Sequence, residues 1–403
     1  MNISIPTIGT RGDVQPFIAL AQGLNRAGHA VTLASHPVMR ELVESYDVKF
    51  APIGPDIDLG EEVAAIRLRS RNVIAGLVRA MRFSFDILEQ SHEDILALCA
   101  KADLVVISVQ SAAGKNEADQ LDLPHLSVTL MPWGIPWNDP ARPLIKRMAY
   151  GAIDGSVRLI TTRPLNRIRK RQGLPPVGPE GFTSKRLNLI PVSPVIYTPE
   201  PLWEPQHRVV GYLFAEEPGG WEPPADLLAF LGSGEPPIVV SLGAMSLGDD
   251  DALEAAGLFV GAIQQAGVRA IIQGWDAGLK QMSTPSTILA AGSMPHSWLL
   301  PHSSGIVHHG GFGTTAAGFR AGIPQLVIPH IVDQFYWGQR VHDLGVGLKP
   351  IPRTKLDSDG LADALDKLAH NDVLRAEASR IGEQIQSENG VKNAVHLIEE
   401  TFS

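Results

Sequence analysis

The stretch His308-His309-Gly310-Gly311-Phe312-Gly313-Thr314-Thr315 gathers the residue types that hold a phosphate. It follows a short apolar run and opens a helical pattern that Gly322 and Pro324 terminate. Glycines in such a turn let a ligand approach the backbone closely. The first amides of the helix, at the positive end of its dipole, donate to phosphate oxygens. Thr314 adds a hydroxyl donor, and His309 an imidazole that can offset charge on a departing diphosphate. An ordinary strand-to-helix turn needs Gly-Gly but has no use for His-His before it. One βα unit later, Pro329-His330-Ile331-Val332-Asp333-Gln334 sets a carboxylate beside an amide. That pair suits sugar hydroxyls, because the carboxylate can accept from two of them while the amide both donates and accepts. Read alone, Asp333 would only cap the helix running through His342. A third cluster, Gly9-Thr10-Arg11-Gly12-Asp13-Val14-Gln15-Pro16, closes the first apolar run, and ligands of open parallel sheets sit at the carboxyl ends of strands. Asp13 can there take a proton, with a solvated carboxyl titrating near 4, or cap the helix that follows. The Gly-x-Gly-x-x-Gly spacing is absent, which removes the main support for a nicotinamide dehydrogenase.

All three turns require strands to leave and helices to enter. In the first half, apolar runs at Ile3 to Ile8, Ala30 to Ala34, Leu104 to Val109 and His125 to Leu130 read as strands. Helical patterns run from Val14 to Ala27, stopped by Gly28, and from Asp86 to Ala100. The second half restarts with strands at Ile238 to Leu242, Arg269 to Gln273, Thr287 to Ala290, Gly305 to His308 and Gln325 to Pro329, with a helix from Ala252 to Ala266. A long helix closes the chain, roughly Asn371 to Thr401, with a break near Asn389 and Gly390. Short apolar runs alternating with helices predict an α/β protein with two parallel-sheet sets. The proline-dense stretch Pro191 to Pro224, with one short strand at Val209 to Leu213, reads as the approach to an interdomain linker.

Composition agrees with a two-domain globular chain: 403 residues, 44 % hydrophobic and 19 % charged. A net charge of −9 argues against a general nucleic-acid binder, which needs a basic face. The lone Cys99 excludes an intramolecular disulfide and a cysteine metal site. The N-terminus lacks the pattern of a signal peptide, and no run of about 18 apolar residues could span a membrane. A cytoplasmic address is the expectation.

Taken together, the three motifs resemble the family-one UDP-glycosyltransferases of the GT-B fold, and more closely the branch of sterol glucosyltransferases and antibiotic glycosyltransferases. GTRGDVQPFIALA is similar to that branch's opening motif. HHGGFGTTAAGFRAGIPQLVIPHIVDQFYWGQRVHDLGVG is similar to its donor-binding region, and Met131-Pro132-Trp133 to its Met-Pro-Trp segment. The resemblance implies two Rossmann-like domains facing across a cleft: residues 1–214 for the acceptor, a linker at 215–224, residues 225–382 for the nucleotide sugar, and a helix at 383–403 returning to the first domain. It implies an inverting hexosyltransferase of secondary metabolism that needs no metal or cofactor. Its co-substrate would be a UDP- or TDP-sugar, and its acceptor a small hydrophobic alcohol or phenol.

By the same resemblance Asp13 is the general base. His309, Gly311, Gly313 and Thr314, with Gly243 and Ser246 of a second loop, hold the diphosphate. Asp333 and Gln334 hold the transferred sugar. Met131, Trp133, Trp137 and Phe85 are the acceptor candidates, and Trp298 and Met294 the nucleoside candidates. Three departures stand out. Ala244 occupies the second loop where Gly-Ser is usual. Ala291 and Ala317 replace a base-stacking tryptophan and a ribose-binding glutamate of plant members. Gly134-Ile135-Pro136-Trp137-Asn138 replaces an Arg- and Phe-containing stretch of the sterol enzymes.

Three other signals receive bland readings. Asp249-Asp250-Asp251 imitates a metal-binding Asp-x-Asp but precedes a helix, where acids favour the dipole. The basic run Arg163, Arg167, Arg169, Lys170, Arg171 reads as a solvated helix face rather than a lipid contact. Arg67 to Phe85 reads as a mobile helix over the acceptor cleft, so membrane contact would be peripheral. A nucleotide-sugar epimerase of the same plan and a non-catalytic sugar-nucleotide-binding protein remain as alternatives. An epimerase needs no apolar acceptor cleft, and a binding protein needs no Asp13.

Overall fold

The computed structural model describes residues 1–58, 62, 65, 73–132, 135, 161–178, 181–242, 249–274, 278, 279, 282, 284–330 and 332–403. The chain divides into two compact units, Met1–Pro218 with Asn389–Ser403, and Gly219–Glu388.

In chain order the first unit comprises β1 (Asn2–Pro6), α1 (Arg11–Arg26), β2 (Ala30–Ser35), α2 (Arg40–Ser45), β3 (Lys49–Pro52), α3 (Val73–Gln90), α4 (His92–Cys99), β4 (Leu104–Ser108), α5 (Lys115–Gln120), β5 (His125–Val128), α6 (Arg163–Arg171), β6 (Asn188–Ile190) and β7 (His207–Val209). Its seven strands form a parallel sheet in the order β3-β2-β1-β4-β5-β6-β7. Helices on both faces explain why the central strands are buried along their length, as in Leu-Val-Val-Ile-Ser of β4.

The second unit adds α7 (Ala225–Gly232), β8 (Ile238–Ser241), α8 (Asp249–Ala266), β9 (Ala270–Gln273), β10 (Ile288–Ala291), α9 (His296–Leu299), β11 (Gly305–His308), α10 (Phe312–Ala321), β12 (Gln325–Val327), α11 (Val332–Asp343), α12 (Ser358–His370) and α13 (Asp372–Ser387). Its five strands are again parallel, in the order β10-β9-β8-β11-β12. Both sheets thus show the expected α/β architecture.

The final helix, α14 (Gly390–Phe402), belongs to the first unit. Its seat depends on two glycines: a Cβ on Gly23 of α1 would lie 2.3 Å from Val391, and one on Gly390 would lie 2.3 Å from the Tyr212 carbonyl. The second unit as it packs runs to Glu388, with α13 held on α10 through the close approach of Gly382 to Gly322.

Several sequence expectations need correction. β3 and β6 were not anticipated, and the strand expected at Val209 to Leu213 lies at His207–Val209. The helix expected over Asp86 to Ala100 is two helices that meet at Ser91, whose hydroxyl donates to the Ile87 carbonyl. Of Arg67 to Phe85, the part before Val73 lies outside the described residues. The basic run of α6 is not one solvated face. Arg169 is 2 % exposed, and its guanidinium donates to Asp119 at 2.8 Å, Asn116 at 2.9 Å and the Pro175 carbonyl at 2.7 Å. Asp119 also receives Lys115 at 2.6 Å, and the two cations hold its carboxyl below the usual range despite burial. Arg171, by contrast, is exposed and bridges Glu89. Asp249 begins α8, so the triple aspartate occupies the first turn of that helix.

Cys99 is buried, which pushes its thiol up to about 12 and leaves it unreactive. Among the described residues, no helix is long and apolar enough to cross a membrane.

Candidate active site

In the first unit the candidate residue is Asp13. Thr10 is the N-cap of α1 and Asp13 the third helical residue, so the two form a capping box rather than Asp13 serving as the cap itself. The Thr10 amide donates to Asp13 Oδ2 at 2.8 Å and the Thr10 hydroxyl to the same oxygen at 2.9 Å. A Cβ on Gly9 would come within 2.6 Å of that oxygen, so glycine there makes room for the carboxylate. Asp13 keeps partial exposure, yet the protein packed around it raises its pKa above the ordinary 3.8, against the lowering effect of both Thr10 bonds. It is therefore a stronger base than the solvated carboxyl expected. Gly9 and Thr10 belong to the cluster quoted from the sequence, but that they hold the Asp13 carboxylate is seen only in the structure.

In the loop between β1 and α1, five residues before Asp13, Ile8 belongs to the buried cluster against which Phe85 packs, half-buried. Met131 follows β5 at the same carboxyl edge and is also partly exposed. Trp133 and Trp137 lie outside the described residues, as do Gly243 and Ser246 of the second unit's loop.

The second unit carries the glycine turn that the sequence marks as a phosphate candidate. β11 ends at His308, Gly310 turns the chain with a φ of +88°, and Gly311 is the N-cap of α10. A glycine cap sends no side chain back over the first amides of the helix. A Cβ on Gly311 would strike His309 Nε2 at 2.4 Å, so its absence lets the imidazole lie against the helix start. Among the described residues beyond its own helix backbone and chain neighbours, a Cβ at Gly313 would meet no atom within 4 Å, so the first turn is open to them on that side. The two threonines divide the work. Thr315 is buried and its hydroxyl donates back to the Gly311 carbonyl at 2.8 Å, whereas Thr314 remains partly exposed.

The two histidines differ as sharply. His308 is fully buried; its Nε2 lies 2.9 Å from Gln325 Oε1, and its Nδ1 accepts the Gly310 amide at 3.1 Å. Burial, aided by His309, pulls its pKa down to about 3. His309 is drawn down to about 4 by burial, with the Ser241 carbonyl opposing, and its Nδ1 has no hydrogen-bond partner among the described residues. Burial thus favours the neutral ring of His309, a dipolar donor, over the imidazolium.

Asp333 and Gln334 begin α11 beside this turn; the Gln334 carbonyl would lie 2.9 Å from a Cβ on Gly310, and the Phe312 and Trp337 rings are 5.7 Å apart. Gln334 is buried and its Oε1 accepts the His330 amide at 2.7 Å, which ties the start of α11 to the loop that follows β12. Asp333 is partly exposed.

The nucleoside candidates share another patch. Met294 and Trp298 pack against the same small apolar cluster as Ala291 and Ala317. Trp298 has His302 stacked on it at 4.4 Å and Trp221 tilted against it at 5.2 Å, so part of its ring is already covered. Ala317 lies one turn after Thr314 in α10, which links this patch to the phosphate turn.

Comparison with known proteins shows the family and the fold. Residues 3–133 match the glycosyltransferase family 28 N-terminal domain, and residues 268–400 the Erythromycin biosynthesis protein CIII-like C-terminal domain. O-mycaminosyltylonolide 6-deoxyallosyltransferase of Streptomyces fradiae is 32 % identical over 423 residues, covering 99 % of this chain and 97 % of that protein. A sterol 3-beta-glucosyltransferase of Arabidopsis thaliana is 31 % identical over 421 residues, covering 98 % of this chain and 67 % of its own. Among solved structures, the glycotransferase of kitacinnamycin superposes with a TM-score of 0.77 at 18 % identity, covering 100 % of this chain and 99 % of its own. The glycosyltransferase VinC in complex with DTDP superposes with a TM-score of 0.74 at 20 % identity, covering 100 % and 99 %. The chain belongs to the GT-B-fold glycosyltransferases of the family-one type, in the branch that holds the sterol glucosyltransferases and antibiotic glycosyltransferases.

Proposed function

We propose that this glycosyltransferase moves a hexose, with inversion, from a UDP- or TDP-sugar to a hydroxyl of a small hydrophobic acceptor such as a sterol, terpenoid, polyketide or phenol. The first unit would take the acceptor and the second the donor. The observation that carries this reading is the start of α10. It is capped by glycine, open at Gly313 and flanked by the neutral His309 ring, and so suits an arriving diphosphate. In the proposed step the acceptor oxygen bonds to the anomeric carbon while its proton passes to Asp13. The bond to the diphosphate oxygen breaks, and the leaving group keeps the electron pair. Preorganised amides meet the developing charge as it appears. An incoming diphosphate would raise the pKa of His309, so its hydrogen bond strengthens as negative charge builds on the leaving group. The acceptor class is supported by the relatives, one named for a sterol and one for a glycosylated tylonolide. Mass spectrometry of products from a sterol, macrolide and phenol panel crossed with UDP- and TDP-sugars tests the reading. A glycoside of opposite anomeric configuration to the donor is expected. Release of a donor epimer without acceptor would sink it.

Two further results are expected. Amides and imidazole together can stabilise a leaving diphosphate without a cation, and the triple aspartate sits where it favours a helix dipole. Turnover should therefore survive excess EDTA; a loss restored by magnesium or manganese would assign a cation to the reaction. Asp333 is proposed to bridge two sugar hydroxyls. Asp333→Ala should then cripple transfer with UDP or TDP affinity nearly unchanged. If the carboxylate only supports its helix, the variant loses about 1 kcal/mol of stability and transfers normally. Paired calorimetry and rate measurements on that one variant separate the two.

A further inference from the structure

A backbone amide can only donate, and this one fact fixes the proton positions along a buried chain of side chains. The Gly310 N–H meets His308 Nδ1 at 3.1 Å, so that nitrogen carries its lone pair and the ring proton sits on Nε2. Nε2–H then donates to Gln325 Oε1 at 2.9 Å, which turns the amide oxygen toward the ring. The Gln325 NH₂ group is left with no partner among the described residues. Both side chains are fully buried, and a Cβ on Gly318 of α10 would lie 2.6 Å from the Gln325 amide. The helix therefore packs directly on the far end of this chain. At its near end, Gly310 has the positive φ that sends the backbone into the start of the same helix.

We infer that His308 and Gln325 are positioning residues: a tautomer-setting relay that holds the Gly310 turn, and with it the open first turn of α10, in the geometry that receives the donor diphosphate. Neither side chain touches the donor; each acts through the Gly310 amide. The inference rests on the reading of that turn as the diphosphate site. Its physical content is a sign rule. With the proton on Nδ1, ring N–H would face backbone N–H, and the turn would have to shift to relieve the repulsion. Gln325 is what holds the proton on the other nitrogen. The open face at Gly313 is only useful if the turn before it stays fixed.

The test is Gln325→Met, which keeps the length of the side chain and removes the acceptor. Binding of UDP and TDP, and of uridine and thymidine alone, is measured by calorimetry, together with the His308 tautomer by NMR of isotope-labelled histidine in the full chain. The wild type should show Nε2–H and a bare Nδ1. In Gln325→Met, UDP and TDP should bind at least about tenfold more weakly, whereas the nucleosides change less than about threefold. Equal losses for diphosphates and nucleosides, or no loss for either, overturn the relay. So does a wild-type ring protonated on Nδ1, which decides the matter even if the variant fails to fold. If the wild type binds neither diphosphate, the proposed donor site falls. The relay then stands or falls on whether Gln325→Met moves the His308 nitrogen and Gly310 amide signals.

Discussion

Asp13→Asn should lower kcat about 10²–10⁴-fold while leaving donor affinity unchanged and the fold at least as stable. The amide keeps the shape of the carboxylate and an oxygen to accept the Thr10 amide, but it cannot take the acceptor's proton. The stability half of the expectation follows from linkage. Burial raises the folded pKa of Asp13 above its unfolded value, so its stabilising contribution is full below the unfolded pKa and is lost as pH rises through the folded one. At neutral pH the ionised group therefore costs the fold free energy, and neutral Asn removes that cost. The melting temperature should be equal or higher, as at many sites where a base is held ready at the expense of stability. The same raised pKa predicts that kcat/KM of the wild type falls with acid earlier than an ordinary aspartate would allow. Acceptors sharpen the test. Aliphatic alcohols need a base more than phenols do, so the Asn variant should lose more on the former. If it keeps more than about a tenth of its activity on an aliphatic alcohol, Asp13 is not the base.

Gly313→Val should lower affinity for the nucleoside diphosphate about 10²-fold, or about 2.7 kcal/mol, without unfolding the protein. Gly313 has an ordinary helical backbone, and among the described residues nothing outside its own helix and neighbours crowds the place of its Cβ, so neither strain nor a clash with them opposes a side chain there. Replacing glycine inside a helix is normally favourable, by up to about 1 kcal/mol for alanine and less for a β-branched residue. The branched side chain would, however, stand over the first-turn amides that the proposal assigns to phosphate oxygens. Binding and stability should thus move in opposite directions, and Gly313→Ala should show the same split at smaller size. Calorimetry with UDP and TDP, together with thermal unfolding, checks both. A valine variant that binds the diphosphate as the wild type does would remove the start of α10 from the donor site.

The sequence by itself determined what depends on local patterning. β11 falls at the expected Gly305–His308, because a short apolar run bounded by Ser303-Ser304 and Gly310-Gly311 has no other way to pair. The break before the last helix follows from Asn389, whose side chain caps α14 by accepting the Lys392 amide. The motifs likewise placed Asp13, the phosphate turn and the Asp333-Gln334 pair at the carboxyl ends of strands β1, β11 and β12, since helix starts and glycine turns are written in neighbouring residues.

What pairs distant residues was not legible. β3 and β6 are too short to show a period, and each is a strand only because a neighbour offers a hydrogen-bonding edge. Arg169 looks like its solvated neighbours until Asp119 and Asn116 meet it from α5. The rise in the Asp13 pKa comes from atoms packed around it, and so has no counterpart in the local sequence. The division of labour in His308-His309 was decided by the tertiary structure alone. The last residue of a buried parallel strand points into the core, where Gln325 of the neighbouring strand takes its proton. The next residue, released from the sheet, lies against the start of the helix instead.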